Sequence, residues 1–233
     1  MKPKLIKEAF TLKESQCTII SEKKEAIEAA KKSIQHSRLD LEHYVRANPK
    51  FLYTLTPIPT PELPLIVKMM AEAAKKANVG PMAAVAGAIA DLAVEEMIKS
   101  GCKVAVVENG GEIMAQSNQP VDVAVAAGDE PLSRRFGFRL TEFPIAIATS
   151  SGRFSHALSF GDAEAATVFA TNATLADAAA TAVGNEVKGE DVQRGIEAGI
   201  QRGLSIDGIK GVIVIYKGEV GTAGKIPQII KVS

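Results

Sequence analysis

The string Thr174-Leu175-Ala176-Asp177-Ala178-Ala179-Ala180-Thr181 sets a carboxylate and a hydroxyl four residues apart. On a helix, Asp177 and Thr181 project from one face. Hard oxygen donors in that arrangement suit Mg2+, which keeps waters for substrate phosphates. The same string also reads as a capping box, with Thr174 as N-cap and Asp177 at N3. A second constellation is Glu108-Asn109-Gly110-Gly111-Glu112. Its glycines can expose N–H groups to a phosphate, or close a hairpin between two strands. A third is Thr149-Ser150-Ser151-Gly152 with His156 four residues on. Hydroxyls and a glycine at a strand end can wrap a phosphate. A serine hydrolase fits poorly, because Ala148 replaces the first Gly of the nucleophile elbow and His156 precedes Asp177. The fourth is the small-residue run from Gly80 to Asp91. It would let a flat ligand or another backbone approach, and its N-terminus could face an anion. Tight helix packing explains the same residues.

The elements that must position these groups follow from period and punctuation. Two short strands fit residues 5–20. Ser21 then opens a long helix with Glu22 and Glu25 in its first turn, an apolar stripe of Ile27, Ile34 and Leu41, and an end at Asn48-Pro49. His36 and His43 ride on it as surface residues. Residues 51–64 hold four prolines and read as an extended connector. Helices follow over about 62–78 and 82–100, broken at Gly80-Pro81. Strands are expected over 103–107, 121–126, 144–148 and 166–170, with irregular chain over 128–143. Helices over 173–184 and 191–203 precede a final antiparallel pair, 210–216 with 226–232. This mixture predicts an α+β fold with mostly antiparallel sheets and packed helices. It is read as one domain over 1–233, or two interlocked α/β subdomains.

Composition narrows the function. The 233 residues carry 27 Lys plus Arg against 27 Asp plus Glu. A neutral chain gives no counterion-release drive toward nucleic acid and no attraction to an anionic membrane. Its most apolar run, Met82 to Val94, is interrupted by Asp91 and falls short of a span. Cys17 and Cys102 lie far apart, which argues against a disulfide scaffold or zinc site. Two thiols and no secretory leader point to the cytoplasm.

In order and spacing, the constellations resemble the ApbE superfamily of Mg2+-dependent FAD:protein FMN transferases. Gly87-Ala88-Ile89-Ala90 stands for the small-residue helix, and Gly110-Gly111-Glu112-Ile113 for the turn. Thr149-Ser150-Ser151-Gly152 with His156, then Ala176-Asp177-Ala178-Ala179-Ala180-Thr181, complete the set. The fuller strings Gly80 to Gly87, Glu108 to Gly111 and Ser155 to Gly161 resemble an uncharacterised protein family within that superfamily. The resemblance implies Asp177 and Thr181 as metal ligands, with a backbone carbonyl near Gly87 or Ala88 as a third. It implies His156 and Asp177 as catalytic residues. Gly87, Ala88, Asn109, Gly110, Gly111, Thr149, Ser150, Ser151 and Gly152 would contact a bound FAD or FMN.

Some positions depart from the transferases. Asp91 and Leu92 stand where they have Lys and Gly, placing an anion where a cation would meet a pyrophosphate. Leu158-Ser159-Phe160-Gly161 replaces an Ile-Asp-Pro stretch after the His. The leading expectation is a Mg2+-assisted enzyme or binder of a flavin nucleotide or other diphosphate, with an acceptor or pathway protein as partner. The alternative is a non-catalytic ligand-binding or accessory protein, associated with anaerobic sulfur and homocysteine metabolism through the resemblance. A homo-oligomer built on the small-residue helix is the third reading.

Overall fold

The computed structural model describes residues 4–124, 136–151 and 161–231. Strands β1 (Ile6–Leu12) and β2 (Ser15–Ser21) form a hairpin before α1 (Lys24–Ala47) and the short α2 (Lys50–Tyr53). Helix α3 (Leu65–Ala77), a 3-10 turn (Pro81–Ala84) and α4 (Val85–Lys99) follow. Then come β3 (Val104–Asn109), β4 (Glu112–Ser117), β5 (Val121–Ala124), β6 (Phe136–Leu140), β7 (Ile145–Ser150) and β8 (Ala165–Ala170). The chain ends with α5 (Ala173–Glu186), α6 (Val192–Leu204), β9 (Ile209–Tyr216), β10 (Glu219–Gly224) and β11 (Gln228–Lys231).

Eight strands make one antiparallel sheet in the order β1-β2-β3-β4-β7-β8-β9-β10, and β11-β6-β5 make a second. Side chains alternate across each strand, and the alternation divides the core. Met114, Ala146, Ala148, Val168, Val212 and Val214 meet the helices, while Ile113, Ala115, Ile145, Ile147 and Phe169 meet the small sheet. Along the large sheet the helices lie in the order α1, α4, α5, α6, and α3 packs on α4 and α5. The α+β architecture is the expected one.

Several boundaries differ from expectation. α1 starts at Lys24, not Ser21; Glu22 instead turns its carboxylate to the N–H groups of Lys103 and Val104 at the start of β3. Pro64 delays α3 to Leu65. A strand, β6, lies inside the stretch expected to be irregular. The last antiparallel pair is β9 with β10, and β11 pairs with β6 in the other sheet. β10 escapes detection because Glu219-Val220-Gly221-Thr222-Ala223-Gly224 is poor in β-branched residues and mostly exposed. Among the described residues no single helix is long and apolar enough to cross a membrane.

Candidate functional site

Helices α4 and α5 cross near their N-termini, and each supplies a carboxylate to the other. A helix start leaves backbone N–H groups without intrahelical partners. At α5, Asn172 is the N-cap and accepts from Leu175 N–H at 2.9 Å. Asp91 of α4 accepts from Ala173 N–H at 2.7 Å and from Thr174 N–H at 2.8 Å. At α4, Asp177 Oδ2 accepts from Gly87 N–H at 2.9 Å.

The capping-box reading is therefore corrected. Thr174 lies inside the helix with its hydroxyl donated to Asp91, and Asp177 serves the neighbouring helix rather than its own. Asp91 has partners within the fold. Its carboxylate accepts from the α5 N-terminus and the Thr174 hydroxyl.

Glycine at 87 makes the crossing possible. A Cβ there would lie 2.2 Å from the Ala173 carbonyl oxygen and 2.9 Å from Thr174 N. The space at Gly87 is filled by α5 backbone. Gly87→Ala should therefore force the two helices apart and cost about 2–3 kcal/mol, read as a lower denaturant midpoint in urea.

The sheet closes the site from the other side. Gly110 and Gly111 form a two-residue turn with φ of 69° and 118°, between β3 and β4. Both values are positive, as a tight hairpin turn needs and glycine allows. The hairpin reading holds, and Gly111 N–H is already donated to Glu108 Oε1 at 2.9 Å. Asn109 and Glu112 are strand residues directly paired across that turn. Paired antiparallel residues share a face, so both point toward the helices. Asn109 is buried and donates from Nδ2 to the Ala86 carbonyl at 3.1 Å. Glu112 is buried and accepts from Thr149 N–H.

Two carboxyls thus share a poorly solvated space. Burial pushes Asp177 up to about 7, opposed by the N–H groups of Gly87 and Ala86 and reinforced by the Asp91 charge. Glu112 is raised well above the usual carboxylate range by burial, then by the Asp177 and Glu108 charges. Among the described residues no lysine or arginine acts on either. Asp91 is also raised, chiefly by burial. Asp177 keeps part of its surface open, and Thr181 follows one turn later on α5, half-buried.

The other expected residues separate. Ala88 is buried in α4 beside Gly87. Thr149 and Ser150 belong to β7 rather than to a loop. The Thr149 hydroxyl pairs with that of Thr167 at 2.9 Å across β7 and β8. Alternation puts it on the small-sheet face, away from Asp177. Ser150 is buried on the helix face at the strand end, and Ser151 is buried after it. Gly152 and His156 lie outside the described residues. Glu112 entered the sequence reading only as part of a turn. Its place opposite Asn109 in a two-residue hairpin was the available signal that it faces inward.

The donor set is compatible with a divalent cation. Asp177 and Thr181 offer oxygen, and among the described residues no side-chain cation balances the carboxylate crowded by acids. Among the described residues no three His, Cys, Asp or Glu converge to hold a metal alone. A hard cation there would need water or substrate oxygens to complete its shell.

Comparison with known proteins agrees with this architecture. Residues 6–221 match the family model described as "AbpE bacteria". A UPF0280 protein of Methanococcus maripaludis is 40% identical over 233 residues, covering 98% of this chain and 94% of that protein. A UPF0280 protein of Methanosarcina acetivorans is 41% identical over 230 residues, covering 97% and 89%. Among solved structures, the apo flavinyl transferase ApbE of Pseudomonas stutzeri superposes with a TM-score of 0.56 at 15% identity, covering 95% of this chain and 94% of that one. The ApbE protein of Thermotoga maritima gives 0.54 at 12% identity, covering 98% and 97%. At that identity the structures establish a shared fold, while the family model and the sequence relatives establish descent: the chain belongs to the ApbE-like family, among its UPF0280 proteins.

Proposed function

We propose that this protein binds FAD together with Mg2+ at the α4–α5 crossing and transfers FMN to an acceptor protein in the cytoplasm. The observation that carries the reading is Asp177: a carboxylate raised to about 7, beside Glu112, with no lysine or arginine among the described residues acting on it and Thr181 one turn away. Relatives of the same fold are flavin transferases by name, which supplies the ligand class.

In this reading Asp177 and Thr181 hold the cation. The N–H groups of Gly87 and Ala86 keep the Asp177 carboxylate oriented. Glu112, held protonated, spares the site a second negative charge. The metal, when bound, supplies charge neutralisation of the pyrophosphate and of the leaving AMP. An acceptor threonine oxygen forms a bond to the FMN phosphorus and its proton goes to a base, for which His156 is our candidate. The P–O bond to AMP breaks, and AMP departs with the electron pair.

The reading is tested by thermal shift with FAD, FMN, ADP and AMP, each with and without Mg2+. FAD at ~100 times its dissociation constant should stabilise by about 2.7 kcal/mol, a rise of about 5–10 °C at this chain length. AMP release from FAD should then require Mg2+. A Mg2+-dependent shift without AMP release would support the non-catalytic accessory protein instead. No shift with any nucleotide would end both readings.

A further inference from the structure

Cys17, Asn109 and the Ala86–Gly87 peptide form one chain of hydrogen bonds that ends on Asp177. Cys17 Sγ donates to Asn109 Oδ1 at 3.4 Å, and Asn109 Nδ2 donates to the Ala86 carbonyl at 3.1 Å. The N–H of that same peptide unit, carried by Gly87, donates to Asp177 Oδ2 at 2.9 Å. Every donor points toward the carboxylate. The Asn109 amide has no freedom to reverse, since a carbonyl can only accept and so must face its nitrogen end. Cys17 stands opposite Asn109 in register on β2, so two neighbouring strands carry the first links and α4 carries the last. Burial pushes the Cys17 thiol up to about 12, so its S–H remains a donor throughout the neutral range. In a poorly solvated interior each bond in such a chain polarises the next.

We propose that Asn109, backed by Cys17, is a positioning residue: it holds the Ala86–Gly87 peptide with its N–H on Asp177 and its carbonyl withdrawn, and thereby sets the affinity of the Asp177 centre for a divalent cation. The affinity part rests on the cation site proposed above. The orientation part rests on the hydrogen bonds alone. An outer partner of this kind commonly changes metal affinity by about 10–100-fold when removed.

The test uses the full chain with Mn2+ as probe, bound metal being read from the loss of the free-ion EPR signal. Hydrogen exchange of the Gly87 amide is followed by NMR, with each variant's global stability measured in parallel. Asn109→Leu keeps the branching and heavy-atom count but removes both links, and should weaken Mn2+ about tenfold or more and speed Gly87 exchange beyond its global stability change. Cys17→Ala should weaken Mn2+ about threefold. Cys17→Ser, which restores an O–H donor, should recover wild-type binding and exchange. A purely packing role would leave Ser no better than Ala, and that result overturns the proposal. Wild-type Mn2+ affinity in Asn109→Leu overturns it as well. Should Asn109→Leu fail to fold, the Ser and Ala variants at Cys17 decide. If the wild-type chain takes up no Mn2+, the cation reading fails and the affinity claim falls with it. The orientation claim then stands or falls on whether Gly87 exchange responds.

Discussion

Asp177→Asn should abolish the Mg2+-dependent response to FAD, weakening the metal complex by about 100-fold or more, while leaving the chain folded. The asparagine keeps a side-chain oxygen for Gly87 N–H, so that bond at the α4 start stays satisfied while the negative charge is removed. Without metal the same variant should be more stable than wild type at pH 8. The sign follows from linkage. Asp177 binds its proton with a value of about 7 in the fold and of about 3.9 in the unfolded chain. Between those values the folded state holds the extra proton. Stability is therefore full below about pH 4, falls as pH rises, and is lost through pH 7. Three units correspond to at most about 4 kcal/mol, reduced here because part of Asp177 remains solvated. Glu112 and Asp91, both raised, add slopes of the same sign. The check is a pH series of urea unfolding in EDTA. Wild type should weaken from pH 5 to 8, and Asp177→Asn should weaken less. Identical slopes in the two proteins would show that Asp177 is not the crowded acid described here.

Asp91→Lys restores the residue type of the transferases it resembles, and should damage the protein rather than improve it. The aspartate satisfies Ala173 N–H, Thr174 N–H and the Thr174 hydroxyl. Lysine has no acceptor for any of them and places an ammonium at the positive end of α5. Unpaired donors and the misplaced charge together should cost about 3–5 kcal/mol. For a chain of this length that lowers the melting temperature by about 6–20 °C. Asp91→Asn, which keeps one acceptor, should cost about half as much. A lysine variant that melts like wild type and binds FAD more tightly would mean that Asp91 faces the ligand instead of the helix. In the fold, Asp91 and Asp177 exchange partners between two helices.

The local elements were largely legible because each rests on period and punctuation. Ile27, Ile34 and Leu41 mark the buried stripe of α1, Asn48-Pro49 ends it, and Gly110-Gly111 closes a hairpin. The order of the four motifs marked the family, and the mixture of strand pairs and helices predicted the α+β architecture. What the residues alone left open was the partner of each polar group. Thr174-x-x-Asp177 satisfies the pattern of a cap, and Asn172 occupies that role because it lies one residue before the helix start. Asp177 and Asp91 face each other's helices because Gly87 lets two backbones meet, a relation spanning more than 80 positions of sequence. Thr149 and Ser150 are neighbours in the chain, yet the pleat sends their side chains to opposite faces of the sheet. The shifted acids at 112 and 177 arise the same way, because burial and neighbouring charge belong to the packed chain and to no residue by itself. Sequence determined the elements, since hydrophobic period acts over a few residues. Only tertiary structure decided the site, since desolvation and hydrogen-bond partnership act across the crossing of α4, α5 and the β3–β4 hairpin.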